Sequence, residues 1–219
     1  VKLYRGFTHT FSATKAEATL FSRMLEILER AGRLGGLLMQ FPSSFEYSLE
    51  HRHYVAALLG GFRGWRIYVE VRHRSWDTPA AIDVLEKGPA QIVNVDLPHL
   101  PGHIPFASRC GEMGAYFRMM GRNRANWLHP WRLEKDGKHM VSDRYQYCYA
   151  ESELGDLASR VNSVRGHSPV FVVFHNDPEG NSLHNGFRLR TLLRPEIPPE
   201  IPRRLLAAFP ALAPPEPAR

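Results

Sequence analysis

The chain has 219 residues, with 28 Lys and Arg against 22 Asp and Glu, a net charge of +6, and 43% hydrophobic and 23% charged residues. This composition excludes a disordered, collagen-like or coiled-coil chain, and no apolar run approaches the ~20 residues of a membrane helix, so no membrane partner is expected. Two cysteines, Cys110 and Cys148, are too few for a disulfide framework and point to a reducing cytoplasm, while the positive surplus mildly favours an anionic partner.

Extended and helical patterns alternate along the chain. Residues 1–7 read as a strand that ends at Thr8 and His9, so the chain enters a fold at its first residue, Val1. Over 13–31, Ala16, Leu20, Met24, Ile27, Leu28 and Ala31 share a helical face, with Thr14 as N-cap and Glu17 as its capping-box partner. A strand is expected at 37–41, closed by Pro42, then a helix at 49–61, a strand at 66–71 and a helix at 79–87. Strands at 91–95 and 116–120 follow, then a helix at 151–164, a strand at 170–174 and a last helix at 181–193. Residues 194–219 hold eight of the 17 prolines and read as a Pro-rich, disordered tail beyond a domain at 1–193, with one helical turn allowed near Leu205.

Strands alternating with helices predict an α/β fold with a parallel sheet, doubly wound or a (β/α) barrel. Neither a GxGxxG nor a GxxxxGK[ST] run follows the first strand. The pattern inside the strands favours the barrel. Ile67, Val69 and Val71 share one face and Tyr68, Glu70 and Arg72 the other. A doubly wound sheet would bury that polar face under helices at a cost, whereas a barrel opens it into a mouth at the C-terminal strand ends. Lys2, Gln40, Asn94 with Asp96, Arg118, and Asn176 repeat the pattern in other strands.

That mouth defines the candidate site. Glu70 is the first choice for general acid or base and Asp96 the second. Lys2, Arg72, Arg118 and Arg122 supply cations, which suit phosphate or carboxylate. Gln40, Asn94, Asn123, Asn176 and Asn185 are neutral hydrogen-bonders, His9 and His73 stand at strand ends, and Trp76 and Tyr145 are aromatic walls for a sugar or base. Plain structural roles compete: a Glu70–Arg72 ion pair, Asp96 as a turn cap, the histidines as loop residues, and Cys110 and Cys148 as bystanders.

The motifs that hold these residues resemble a known family. Residues 35–45, Gly-Gly-Leu-Leu-Met-Gln-Phe-Pro-Ser-Ser-Phe, resemble the G-x-L-L-x-Q-F-P-x-S-F segment of the domain-of-unknown-function 72, or YecE-like, family. Residues 69–76, Val-Glu-Val-Arg-His-Arg-Ser-Trp, resemble its V-E-[FV]-R-H-x-S-W segment, and Asn94-Val95-Asp96 matches a further strand. Residues 118–123 with Trp127 and 144–147 resemble R-x-H-G-R-N…W…R-Y-D-Y, with Met120 in place of a frequent His and Gln146 in place of an Asp. Residues 174–185 resemble F-N-N-H-x-x-G-x-A-x-x-N, with His175 at a usual Asn. The resemblance implies a TIM-type (β/α)8 barrel of which this chain carries strands 3–8, truncated at the N-terminus, and it implies no reaction.

Three functions are weighed. One is an enzyme, a hydrolase, lyase or isomerase, acting on a polar, phosphorylated or carbohydrate-like small molecule. The second uses a divalent metal held by Glu70, Asp96, His73 and His175; no HxH or HExxH spacing fixes ligands, so no metal residue and no cofactor is assigned. The third is a nucleic-acid-binding module built on the Arg- and aromatic-rich segment 118–132, the lesser reading.

Overall fold

The capping box expected from sequence sets the first long helix. In a computed structural model, Thr14 Oγ1 accepts the Glu17 N–H at 3.2 Å and Glu17 Oε2 accepts the Thr14 N–H at 2.7 Å. The structure describes residues 1–86, 90–133, 140–166, 169–197 and 199–213. Lys87, the expected end of one helix, and 214–219 of the tail lie outside the described residues.

The helices are α1 (Arg5–Thr8), α2 (Lys15–Arg30), α3 (Leu49–Gly61), α4 (Pro79–Glu86), α5 (Arg124–Leu128), α6 (Glu151–Ser163), α7 (Asn181–Leu193) and α8 (Arg203–Ala208). The strands are β1 (Leu37–Gln40), β2 (Ile67–Glu70), β3 (Ala90–Ile92), β4 (Asn94–Asp96), β5 (Ala115–Met119), β6 (Trp131–Leu133), β7 (Met140–Ser142) and β8 (Val170–Phe174). The fold is α/β. β1, β2 and β3 form a parallel sheet in that order, β4, β5 and β8 a second three-stranded sheet, and β6 and β7 an antiparallel pair. These sheets are open, so the described strands do not close the barrel expected from the alternation of elements.

Two expectations are corrected. The run 1–7 is not a strand: only Lys2 bridges to Leu38, and Arg5–Thr8 coils into α1. The Arg5 carbonyl accepts the N–H groups of His9 and Thr10, and Gly6 accepts those of Ser12 and Ala13, so the backbone is satisfied locally. The helix at 15–30 also turns its apolar stripe outward. Leu20 is 68% and Ile27 65% exposed, and only Leu25 of that helix is buried. In the Pro-rich stretch, Arg203–Ala208 forms α8 and Leu212 is buried.

The chain divides into two compact units. The first holds Val1–Val95, Leu100–Phe117 and Gly166–Phe171; its core includes Leu25, Leu37, Met39, Val55, Ile67, Val69, Trp76 and Leu85, all fully buried. The second holds Asp96–His99, Arg118–Arg165 and Val172–Arg219, with Leu154, Leu157, Ala158 and Val161 of α6 and Leu189 of α7 buried. Among the described residues, no helix is long and apolar enough to cross a membrane.

Candidate functional site

In the first unit the period of two in the strands places an apolar floor beneath a polar layer. Leu38 of β1 and Tyr68 of β2 pack with Val93, Tyr116 and Phe171. Two residues on, about 6.6 Å along each strand and on the same face, come Gln40 and Glu70, which are partners in the parallel register. Both are buried, Glu70 completely. Glu70 Oε1 accepts the Arg72 Nε–H at 2.6 Å, and Gln40 Nε2 donates to the Phe41 carbonyl at 2.6 Å. A buried carboxylate so close to a guanidinium resists losing either partner.

His9 lies within electrostatic reach of Glu70 and Arg72. Its ring Nδ1 lies 2.9 Å from Thr8 Oγ1. Burial depresses its pKa, and Lys2, Arg5 and Arg72 depress it further, against a smaller opposing pull from Glu70. Three cations and one carboxylate thus act on this imidazole. Arg5 is absent from the sequence-based candidates. The coil of α1 brings it in.

The other first-unit candidates serve the scaffold. His73 Nδ1 lies 2.8 Å from Ser75 Oγ, and its Nε2 is 3.8 Å from Glu46 Oε1. Trp76 is fully buried, with Nε1 donating to the Phe45 carbonyl at 2.8 Å, so its ring is core and offers no open wall. Asn94 clamps the Arg109 backbone: Nδ2 donates to its carbonyl at 2.8 Å and Oδ1 accepts its N–H at 2.7 Å.

The second unit carries its own charged network. Asp96, fully buried, accepts Arg122 Nε at 3.1 and 2.9 Å and the Tyr149 hydroxyl at 2.8 Å. Arg122 Nη1 also donates to Glu153 Oε1 at 3.0 Å, and the Tyr147 hydroxyl donates to both Glu153 oxygens, at 2.8 and 3.0 Å. Desolvation raises the Asp96 pKa against these donors, and burial beside Asp96 and Glu153 holds both phenols protonated. Glu153 was missed from sequence. Its signal was its place three residues after Ala150, whose N–H it accepts at 2.9 Å at the start of α6.

Arg118 is buried against His175, with Nε and Nη2 at 3.0 and 2.6 Å from His175 Nε2. A guanidinium only donates, so that Nε2 is the acceptor of a neutral ring. Asn176, fully buried, donates Nδ2 to the Tyr145 carbonyl at 3.3 Å, while its Oδ1 has no partner among the described residues. Tyr145 stands edge-on to Trp127, and Asn123 caps α5 by accepting the Asn126 N–H at 3.0 Å. Asn185 accepts the Tyr149 N–H at 3.1 Å, and its Nδ2 has no partner among the described residues. Gly121 has φ +89, and a Cβ there would meet Tyr147 and Asn176 at 2.5 and 2.8 Å, so only glycine fits.

Among the described residues, no group of three or more His, Cys, Asp or Glu side chains is gathered to hold a metal; Glu70, His73, Asp96 and His175 form no such cluster.

Comparison with known proteins places this arrangement. The family model described as protein of unknown function DUF72 matches residues 1–205. The UPF0759 protein YunF of Bacillus subtilis (strain 168) is 28% identical over 94% of this chain and 76% of its own. A DUF72 family structure from Thermotoga maritima MSB8 superposes with a TM-score of 0.76 at 29% identity, over 89% of this chain and 72% of that one. One from Enterococcus faecalis V583 shares the fold, with a TM-score of 0.74 at 24% identity over 88% and 73%. Polar strand ends, their sequence motifs and the superposed fold agree: this chain belongs to the DUF72 family of proteins of unknown function.

Proposed function

We propose that this chain is an enzyme, a hydrolase, lyase or isomerase, that binds a polar, phosphorylated or carbohydrate-like small molecule at the C-terminal ends of β1 and β2. The observation that supports it is that the charges of Lys2, Arg5 and Arg72 all act on His9, within electrostatic reach of the buried Glu70. Three cations against one carboxylate favour an anionic group, and a guanidinium suits phosphate in particular. In this reading Glu70 is the acid or base of the reaction, Gln40 orients the ligand, and His9, neutral before the ligand arrives, is a second proton acceptor. Asp96 is a positioning residue, since Arg122 and Tyr149 occupy both of its oxygens. The fold that goes with this reading is the TIM-type (β/α)8 barrel, supported by the parallel order of β1, β2 and β3 and by sites at strand C-termini in such folds.

The nucleic-acid reading has less support, because Arg118 is buried on His175 and Arg122 is tied to Asp96 and Glu153 instead of forming an open basic stripe.

Calorimetric titration of the chain with inorganic phosphate and ribose 5-phosphate tests the binding half. Lys2→Met with Arg5→Met, both at exposed positions, is expected to weaken binding at least tenfold. Unchanged affinity in that variant, or no binding by the parent chain, defeats the reading. Glu70→Gln then reports on chemistry: a turnover found with a phosphate-ester panel should fall at least a hundredfold while the circular dichroism spectrum is kept.

A further inference from the structure

Phe11 sits two residues beyond His9 in a left-handed backbone conformation, φ +52, that a bulky side chain adopts only under strain. It is also 45% exposed. Glycine or asparagine would hold this turn with less strain, and a polar residue would suit the exposure better. Neither the backbone nor solvent therefore explains a phenyl ring here.

The surroundings do explain its orientation. Phe11 stacks on Phe45 at 5.7 Å and 19° and lies nearly parallel to His51 at 6.4 Å and 16°, while Tyr54 meets it edge-on at 5.4 Å. Phe45 stacks in turn on Phe41 at 4.3 Å and on Trp76 at 5.5 Å. Trp76 and Phe41 are fully buried, and the Trp76 indole N–H is fixed to the Phe45 carbonyl. Nearly parallel rings thus lead out from the core to His51, on Phe45 at 4.1 Å, and to Phe11, a residue that is partly exposed. Phe11 follows two residues after His9, on which the three cations act: the two Cα atoms are at most about 7 Å apart, within the span of a nucleoside monophosphate.

We infer that Phe11 is a stacking platform for the planar ring of the ligand, and that the ligand class is a nucleoside phosphate, its phosphate facing Lys2, Arg5 and Arg72 and its base lying on Phe11. The inference rests on the anion site proposed above. Near-parallel stacking favours a flat π-system, and base-on-aromatic stacking tolerates any base.

The test compares adenosine 5′-monophosphate, ribose 5-phosphate and inorganic phosphate on the full chain by calorimetry. The nucleotide is expected to bind at least tenfold tighter than ribose 5-phosphate. Phe11→Ala should erase that tenfold and leave ribose 5-phosphate unchanged, and Phe11→Trp should restore it. Equal affinity for nucleotide and ribose 5-phosphate overturns this inference while leaving the anion site standing. So does a Phe11→Ala variant that weakens both ligands alike, since that marks Phe11 as scaffold. Failure of all three ligands to bind defeats both readings.

Discussion

The phenol of Tyr149 bridges two buried groups: it donates to Asp96 Oδ2 at 2.8 Å and accepts the Gly121 N–H at 2.9 Å. Tyr149→Phe removes one atom and leaves both partners short of a hydrogen bond. A buried N–H without an acceptor costs about 1–3 kcal/mol, so the variant should lose at least that much stability in urea denaturation with the m-value unchanged. A loss under about 0.5 kcal/mol, the ordinary surface range, would show that water reaches both groups.

Asp96 gives this network a pH signature. Burial raises its pKa above the ordinary 3.8, against the hydrogen bonds of Arg122 and Tyr149. A folded value above the unfolded one means the folded state binds the proton more tightly. That contribution is complete below pH 3.8 and is lost as pH rises through the folded value. Asp96→Asn has no such group, so its stability relative to the parent should climb as pH rises across that window. A parent-minus-variant difference that is flat with pH, or slopes the other way, refutes the raised pKa.

The Glu70–Arg72 pair should behave as a unit. Removing one partner of a buried ion pair takes away the other's close counter-charge at about 3–5 kcal/mol, while replacing both by apolar groups of similar size is often neutral. Arg72→Met is therefore expected to destabilise strongly, and Arg72→Met with Glu70→Leu markedly less. Additive losses in thermal denaturation would mean that the two charges do not depend on each other.

Much of this was legible from residue pattern. The helix at Leu49–Gly61, the strand at Val170–Phe174 and the helix at Asn181–Leu193 match their expected bounds, because each is framed by caps, glycines or prolines. The buried polar ends Gln40, Glu70, Asn94, Asp96 and Arg118 follow from alternation along their strands. What escaped depends on coiling and long-range pairing. Residues 5–8 carry the same mix of small, aromatic and β-branched residues that a strand carries, and only their local carbonyl–amide bonds separate the two. Glu153 looked like an ordinary residue of the first helical turn until Arg122 and Tyr147 met it. Periodicity found the face of α2 but carries no information on which side is covered. In this chain Leu20→Lys and Ile27→Lys should each change stability by less than about 0.5 kcal/mol, whereas Leu25→Ala should cost about 2–5 kcal/mol.

His9 links charge to ligand. Burial first, then Lys2, Arg5 and Arg72, hold its pKa below 6.5, with Glu70 pulling the other way. A bound phosphate offsets those cations, so binding must raise the His9 pKa and draw in a proton. Calorimetry near pH 6 with sulfate, a dianion that does not itself titrate there, in buffers of different ionisation enthalpy, should show net proton uptake that falls off as pH rises. His9→Gln should abolish the uptake while the chain still binds sulfate. Equal uptake in parent and variant would place the titrating group elsewhere and remove His9 from the anion site.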